Sequence, residues 1–282
     1  MKKLLLAVTL FIPLSAAFPI AAAQDRGHRV SANVGLFSQY VFRGLAQTNG
    51  GLALQGGFDY SYTTAPVTFY AGAWGSNVSL LRDSGLYVHS SLELDFYGGI
   101  RGKFGRTQFS WDVGYLYYWY PGDLAPSATT ANSQEVYGGI GWNWISGKVS
   151  CSVGSETFTV RDSRGTYYLD MSANPTLGAT GLSAIAHYGI QRFAGSDPAL
   201  AGRADNGAYY SYDDWKAGLN FDAGRLTSRL KGMNIGSYGA GTRGADPCAY
   251  GSTAEACRYG GFGAYPRNIA EGKFVVYLQF VR

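Results

Sequence analysis

Along most of the chain, apolar and polar positions alternate with a period of two, the pattern of a β-strand with two unlike faces. In "TQFSWDVGYLYYWY" (107–120), Phe109, Trp111, Val113, Tyr115, Tyr117 and Trp119 share one face, while Gln108, Ser110, Asp112, Gly114 and Tyr118 share the other. Further upstream, Leu86, Val88, Leu92, Leu94 and Phe96 oppose His89, Ser91, Glu93, Asp95 and Tyr97. Leu52, Leu54, Phe58, Tyr60 and Tyr62 likewise oppose Gln55, Asp59 and Ser61. The last segment keeps Phe274, Val276, Leu278 and Phe280 in one phase. Twelve strands are predicted, at 30–43, 51–62, 67–77, 86–100, 106–120, 135–146, 148–161, 166–173, 181–192, 208–222, 225–237 and 272–281. In the first, Val34, Leu36, Tyr40 and Phe42 fall on the apolar face. Asn33, Phe37, Gln39 and Arg43 fall on the other, with Gly44 ending the strand.

The connections alternate too. "TTAP", "RGKFGR", "SG", "NPTLGAT" and "DAGR" are short, and most of the others, such as 121–134, 194–206 and 239–271, are longer. Short turns at one end and longer loops at the other describe an up-and-down antiparallel meander. An even strand count closes it into a barrel with both termini on the short-turn side. In a soluble sheet the apolar face is a core; in a transmembrane barrel it meets lipid and the polar face lines the lumen. Two features favour lipid. The segments of 12 to 15 residues exceed the ~9–11 needed to cross a bilayer obliquely, and aromatic pairs such as Tyr60/Tyr62, Tyr117/Trp119 and Tyr209/Tyr210 lie near segment ends, where interfacial girdles belong. The expected fold is all-β, an antiparallel up-and-down transmembrane β-barrel of about 12 strands. Closure also removes the exposed edges that long aromatic strands make hazardous.

Composition agrees. There are 40 glycines, 22 tyrosines, 15 phenylalanines and six tryptophans, and only 15% of residues are charged, a balance suited to strands and tight turns. The chain opens "MKKLLLAVTLFIPLSAAFPIAAAQ", two lysines before an apolar run broken by Pro13 and Pro19 and closed by small residues. That reads as a secretory signal over 1–23, with the barrel domain over 24–282. Removing Lys2 and Lys3 from the 23 basic residues leaves 21 against 19 acidic ones, with no long run of either sign, so nucleic acid is not an expected partner. In an exported chain, Cys248 and Cys257 are disulfide candidates within a Gly/Ala/Ser-rich loop, and Cys151 reads as a small apolar side chain.

With the strands placed, "SANVGLFSQYVFRGLAQTNGGLALQGGFDYSY" (31–62) and "SSLELDFYGGI" (90–100) become recognisable. They resemble the TorF-type family of bacterial outer-membrane porins, whose mature chain begins with a Ser-x-Tyr-hydrophobic-Phe-Arg-Gly strand end, a Gln-Thr turn and a "LQGGFDY" strand. A Glu-x-Asp-x-Tyr-Gly-Gly strand follows later. The resemblance covers about the first third of the mature chain, and it implies an outer-membrane porin of a Gram-negative cell without naming a solute. Outer-membrane barrels commonly end on an aromatic residue; this chain ends "LQFVR", so Phe280, in the right phase but two residues early, is the expected assembly signal.

The polar phase supplies the pore-lining candidates Arg43, Asp59, Glu93, Asp95, Asp112, Glu156, Arg192 and Lys216, with Asp170 and Asp214 beside them. Opposed acids and bases across a lumen set the field that filters small solutes; their plainer role is to pair with one another in a barrel too narrow to conduct. Glu93 and Asp95 lie about 7 Å apart along one strand, but no histidine set or calcium loop accompanies them, so no metal and no cofactor is expected. His89, Ser91 and Glu93 share a face and have the residue types of lipid A-trimming barrel esterases. They point away from lipid, however, so an enzyme is not expected. A third possibility is a non-conducting surface or interaction protein working through the 239–271 loop. The favoured expectation is passive diffusion of small hydrophilic solutes or ions. Outer-membrane lipid and the barrel-assembly machinery are the partners, and no oligomeric state is implied.

Overall fold

The computed structural model describes residues 27–197, 205–245, 249 and 268–282. The expected signal segment and the disulfide candidates Cys248 and Cys257 lie outside the described residues. In chain order the elements are β1 (Gly27–Phe37), the short β2 (Val41–Phe42) and β3 (Leu45–Ala46), β4 (Ala53–Thr64), β5 (Val67–Asn77), α1 (Leu80–Asp83), β6 (Tyr87–His89), β7 (Leu92–Lys103), β8 (Phe109–Trp119) and β9 (Asp123–Leu124). These are followed by β10 (Ser133–Trp142), β11 (Ile145–Ser152), β12 (Tyr167–Ala173), β13 (Leu182–Arg192), α2 (Asn206–Tyr210), β14 (Tyr212–Asp222), β15 (Met233–Arg243) and β16 (Lys273–Val281). Twelve of the strands close into one barrel, in the order β1-β16-β15-β14-β13-β12-β11-β10-β8-β7-β5-β4, with every pair antiparallel. The first and last strands seal it, Val34 opposite Phe280 and Leu36 opposite Leu278.

The alternation resolves into an outer and an inner face. Val34, Leu54, Phe58, Phe69, Phe96, Val113, Val136, Val149, Leu219, Val276 and Leu278 are exposed around the wall, whereas Asn33, Gln55, Glu93, Asp95, Asp112, Glu135, Asp170, His187, Asp214, Lys216 and Gln279 are buried inside it. An apolar exterior over a polar interior inverts the order of a soluble protein, and only a bilayer makes it stable. Phe280 sits on this outer face. A charge placed there should be costly: Val113→Arg, at the middle of β8, is expected to lower unfolding stability in lipid vesicles by about 2–4 kcal/mol, measured by urea titration. An unchanged midpoint would place that face outside the membrane.

The glycine and tyrosine excess has a structural use. Inside the wall, tyrosines lie across from glycines of the neighbouring strand: Tyr97 opposite Gly72, Tyr70 opposite Gly99 and Tyr137 opposite Gly114. A Cβ on Gly114 would stand 2.5 Å from the Tyr137 hydroxyl oxygen. Each ring therefore lies flat over the space its partner leaves empty.

All twelve predicted strands have a counterpart, but several bounds move for identifiable reasons. The sixth and seventh segments turn at Asn143 and Trp144, Asn143 having φ of 54°, and β11 stops at Ser152, where a loop closed by a Thr157–Val160 bridge begins. The segment drawn from 225 starts only at Met233, because 223–230 coils into two 3₁₀ turns and Gly232, at φ of 85°, turns the chain. Tyr209 and Tyr210 do not form a girdle: the Asp205 side chain caps α2 by accepting from the Gly207 and Ala208 amides, which folds both tyrosines into a buried cluster with Phe193. Tyr87–His89 separates from β7 and pairs with β9 above the barrel. The largest departure is at the start, where β1 ends at Phe37 rather than at residue 43.

Candidate functional site in the lumen

Beyond Phe37 the chain turns into the barrel. Val41 pairs with Ala46 and Phe42 with Leu45, leaving a two-residue turn of Arg43 and Gly44. Their φ angles of 45° and 79° meet the requirement of a type I′ hairpin, both central residues at positive φ. Tyr40 and Phe42, expected to face lipid, are instead buried inside, because the hairpin leaves the wall and carries both its faces into the interior. Its base is fastened at several points. The Gln47 amide donates to the Tyr40 carbonyl at 2.9 Å, the Ala46 amide to the Ile269 carbonyl at 2.9 Å, and the Tyr40 amide to Thr48 Oγ1 at 3.0 Å.

The tip reaches the far wall. Arg43 donates through one terminal nitrogen to Gln191 Oε1 at 2.8 Å and through the other to both Glu135 carboxylate oxygens at 2.8 Å. Tyr118 hydroxyl, which donates to Glu135 Oε2 at 3.1 Å, closes the ring. The guanidinium carbon lies 4.1 Å from the centre of the Tyr168 ring and 5.4 Å from that of Phe158. Phe158 stands edge-on to Phe42 and Tyr118, completing an aromatic box. The Arg43 and Glu135 side chains are 6% and 2% exposed. Burial disfavours the Arg43 charge, but Glu135 beside it outweighs that and holds the guanidinium above its ordinary range. Gly44 fits only as glycine: a Cβ there would stand 2.7 Å from Asp214 Cβ and 2.8 Å from the Gly241 carbonyl oxygen.

Two further polar groups surround the tip. Beneath it, His187 approaches Asp214 at 3.0 Å and Asp170 at 3.5 Å, and the Tyr168 hydroxyl donates to Asp214 at 2.8 Å. Lys148 faces Asp170 across the β11–β12 pair, and Lys216 faces His187 across β13–β14. To the side, the Tyr40 hydroxyl donates to Glu93 at 3.3 Å. Burial, then Glu93 itself, push the Tyr40 phenol well above its ordinary range, so it remains a donor. Glu93 Oε2 and both Asp95 oxygens are buried and have no hydrogen-bond partner among the described residues. Nearer the short turns, Tyr97 donates to Asp59 at 2.7 Å and Tyr70 to Asp112 at 2.6 Å, with Arg101 over the Tyr70 ring. The space left between hairpin, Tyr168, His187, Asp214 and Lys216 is about 10 Å³, room for about one water. The lumen is thus filled at the hairpin.

Of the expected lining residues, Asp59, Glu93, Asp95, Asp112 and Lys216 lie on inner wall positions, and Arg43 reaches the lumen on the hairpin tip. Two lie elsewhere. Arg192 sits on the outward phase of β13 and pairs with Asp213 at 2.7 Å on the outer rim; the strand alternates through His187 and Gln191 inward, which puts residue 192 outside. Glu156 belongs to the 153–166 loop and accepts from Ser155, since β11 has already ended. Nor does the structure gather the His89, Ser91 and Glu93 set: His89 and Ser91 are exposed on the loop side while Glu93 is enclosed. Glu135, Lys148, His187 and Gln191 are missing from the expected set although the same alternation carries them. Glu135 precedes the outward Val136, and Gln191 shares its phase with His187.

A closed twelve-stranded barrel with lipid-facing apolar walls and a charged interior is an outer-membrane β-barrel. The chain belongs to the Gcw_chp family, bacterial proteins of unknown function, whose model matches residues 21–261. No curated protein matches it. Among solved structures it is similar to an outer membrane channel from Pseudomonas putida F1, at 8% identity and a TM-score of 0.49, covering 92% of this chain and 96% of that one. It is also similar to Salmonella typhi OmpF in complex with daunomycin, at 9% identity and a TM-score of 0.38, covering 90% and 97%.

Proposed function

We propose that this protein is a porin for small hydrophilic solutes or ions, closed in the present conformation by the 38–52 hairpin. The observation that carries this reading is the interior itself. A barrel that needed only to be filled would be more stable with apolar side chains there, because the attraction within buried ion pairs seldom offsets their desolvation. Here seven acids (Asp59, Glu93, Asp95, Asp112, Glu135, Asp170 and Asp214) stand with Arg101, Lys148, Lys216 and His187 on facing walls, and Arg43 joins them on the hairpin. A set of this kind suits a water-filled path with opposed charges. The plug is a loop rather than a wall strand, so it can leave without breaking the barrel. The resemblance of 31–62 and 90–100 to TorF-type porins supports the same reading, as does a signal segment that would deliver the chain to the barrel-assembly machinery. Outer-membrane lipid is the surrounding partner.

The test is single-channel recording in planar bilayers of the wild type and of a variant in which 41–46 is replaced by a short Gly-Ser link. Heat-modifiability gels should verify that both barrels are folded. The wild type is expected to stay mostly closed, and the variant to give conductance steps in most recordings. A folded variant that never conducts would reject the porin reading and favour a surface-interaction role.

A further inference from the structure

We propose that the box holding Arg43 is a binding site for guanidinium-bearing solutes, with Arg43 acting as a tethered competitor for it. This rests on the porin reading above and gives that channel a solute class. Every wall of the box answers a guanidinium rather than a generic cation. The Tyr168 ring lies under the flat face at 4.1 Å, with Phe158 nearby. Acceptors lie at the edge: the two oxygens of Glu135 on one terminal nitrogen and Gln191 Oε1 on the other. An ammonium has neither the face to stack nor the fork to meet acceptors on two sides.

The acceptors are held in place without Arg43. Tyr118 donates to Glu135, and the Gln191 amide nitrogen donates to the Tyr167 carbonyl at 3.3 Å, which points Oε1 into the box. A site merely induced by its own side chain would have no reason for such bracing. The approach is acidic as well. Asp95, fully buried with both oxygens unpartnered among the described residues, stands two residues from Glu93 on β7. The side that presents Arg43 is strained: Arg43, at φ of 45°, is a non-glycine residue in the left-handed region. Such strain persists where surrounding contacts hold it, and it is released when the segment moves. A free solute making the same contacts carries no such strain, and can therefore displace the hairpin.

The test uses methylguanidinium as probe and methylammonium as its point-charge control, on the full chain folded in detergent. By calorimetry, Arg43→Ala is expected to bind methylguanidinium at least tenfold more tightly than methylammonium. Arg43→Ala with Glu135→Gln is expected to lose at least tenfold in methylguanidinium affinity. Equal affinity for the two probes, or undiminished binding without the Glu135 carboxylate, would overturn the site. Should Arg43→Ala fail the heat-modifiability check, Arg43→Met, which keeps the apolar stem, replaces it. A second measurement needs no variant: methylguanidinium is expected to raise wild-type channel opening several-fold over equal methylammonium, and equal effects would likewise overturn the proposal. Binding is read without a membrane, so a variant that conducts but does not bind rejects the site alone. One that binds but never conducts rejects the porin reading alone.

Discussion

Glu135→Ala is expected to convert a mostly closed barrel into a mostly open one. The substitution leaves the Arg43 guanidinium buried with only Gln191, Tyr118 and the aromatic rings around it. Removing one partner of a buried ion pair costs about 3–5 kcal/mol, equivalent to roughly 10² to 4 × 10³-fold in an equilibrium constant at about 1.4 kcal/mol per decade. That cost falls on the seated hairpin and not on the wall ladder, since among the described residues the hairpin backbone pairs with itself and at its base, not with the barrel strands around the tip. The seated state should lose population by that factor, visible as a rise in open probability, while the folded band on a heat-modifiability gel is kept. Arg43→Ala should act in the same direction, because it strands the Glu135 carboxylate. The double variant should change less than the sum of the two, as expected of a coupled pair. Unchanged open probability in both single variants would show that the hairpin does not close the pore.

The same hairpin marks the boundary of what the sequence discloses. Period-two alternation is a local signal and identifies wall strands well; β5 is found at its exact bounds, Val67–Asn77. It cannot tell a strand that continues along the wall from one that turns inward with the same alternation. "QYVFRGLAQ" keeps Tyr40 and Phe42 in the phase of the preceding wall residues, and the usual marker of a tight hairpin, Asn-Gly or Asp-Gly, is replaced by Arg43-Gly44. The arginine is there for what its side chain reaches, despite a backbone conformation it disfavours, so local propensity and tertiary role disagree at that position. Arg192 shows the reverse difficulty. It belongs to a well-predicted strand, but one step of phase separates a lumen residue from an outer-rim residue. The partners of the box, Glu135 on β10, Gln191 on β13, Tyr118 on β8 and Tyr168 on β12, come from four different strands. No local pattern brings them together; only barrel closure and the inserted hairpin do.

Gly44→Val should unseat the hairpin by a route that leaves the ion pair chemically intact. At φ of 79° a side chain in the left-handed region already costs roughly 1–2 kcal/mol. The added Cβ would also meet Asp214 Cβ at 2.7 Å and the Gly241 carbonyl oxygen at 2.8 Å. The second contact is with backbone inside the β14–β15 ladder, which cannot yield without disturbing the wall. The tip must therefore withdraw, drawing Arg43 away from Glu135, and the variant should conduct as Glu135→Ala does. Gly178 separates the two causes. It has φ of 66°, a Cβ added to it would meet nothing within 4 Å, and it lies on a short turn between β12 and β13. Gly178→Val should thus lower barrel stability by the conformational cost alone and leave open probability at the wild-type value. If Gly44→Val stays closed while folded, the hairpin is seated by something other than the close fit at Gly44. If Gly178→Val opens the channel as well, opening reports general destabilisation of the barrel and not withdrawal of the plug.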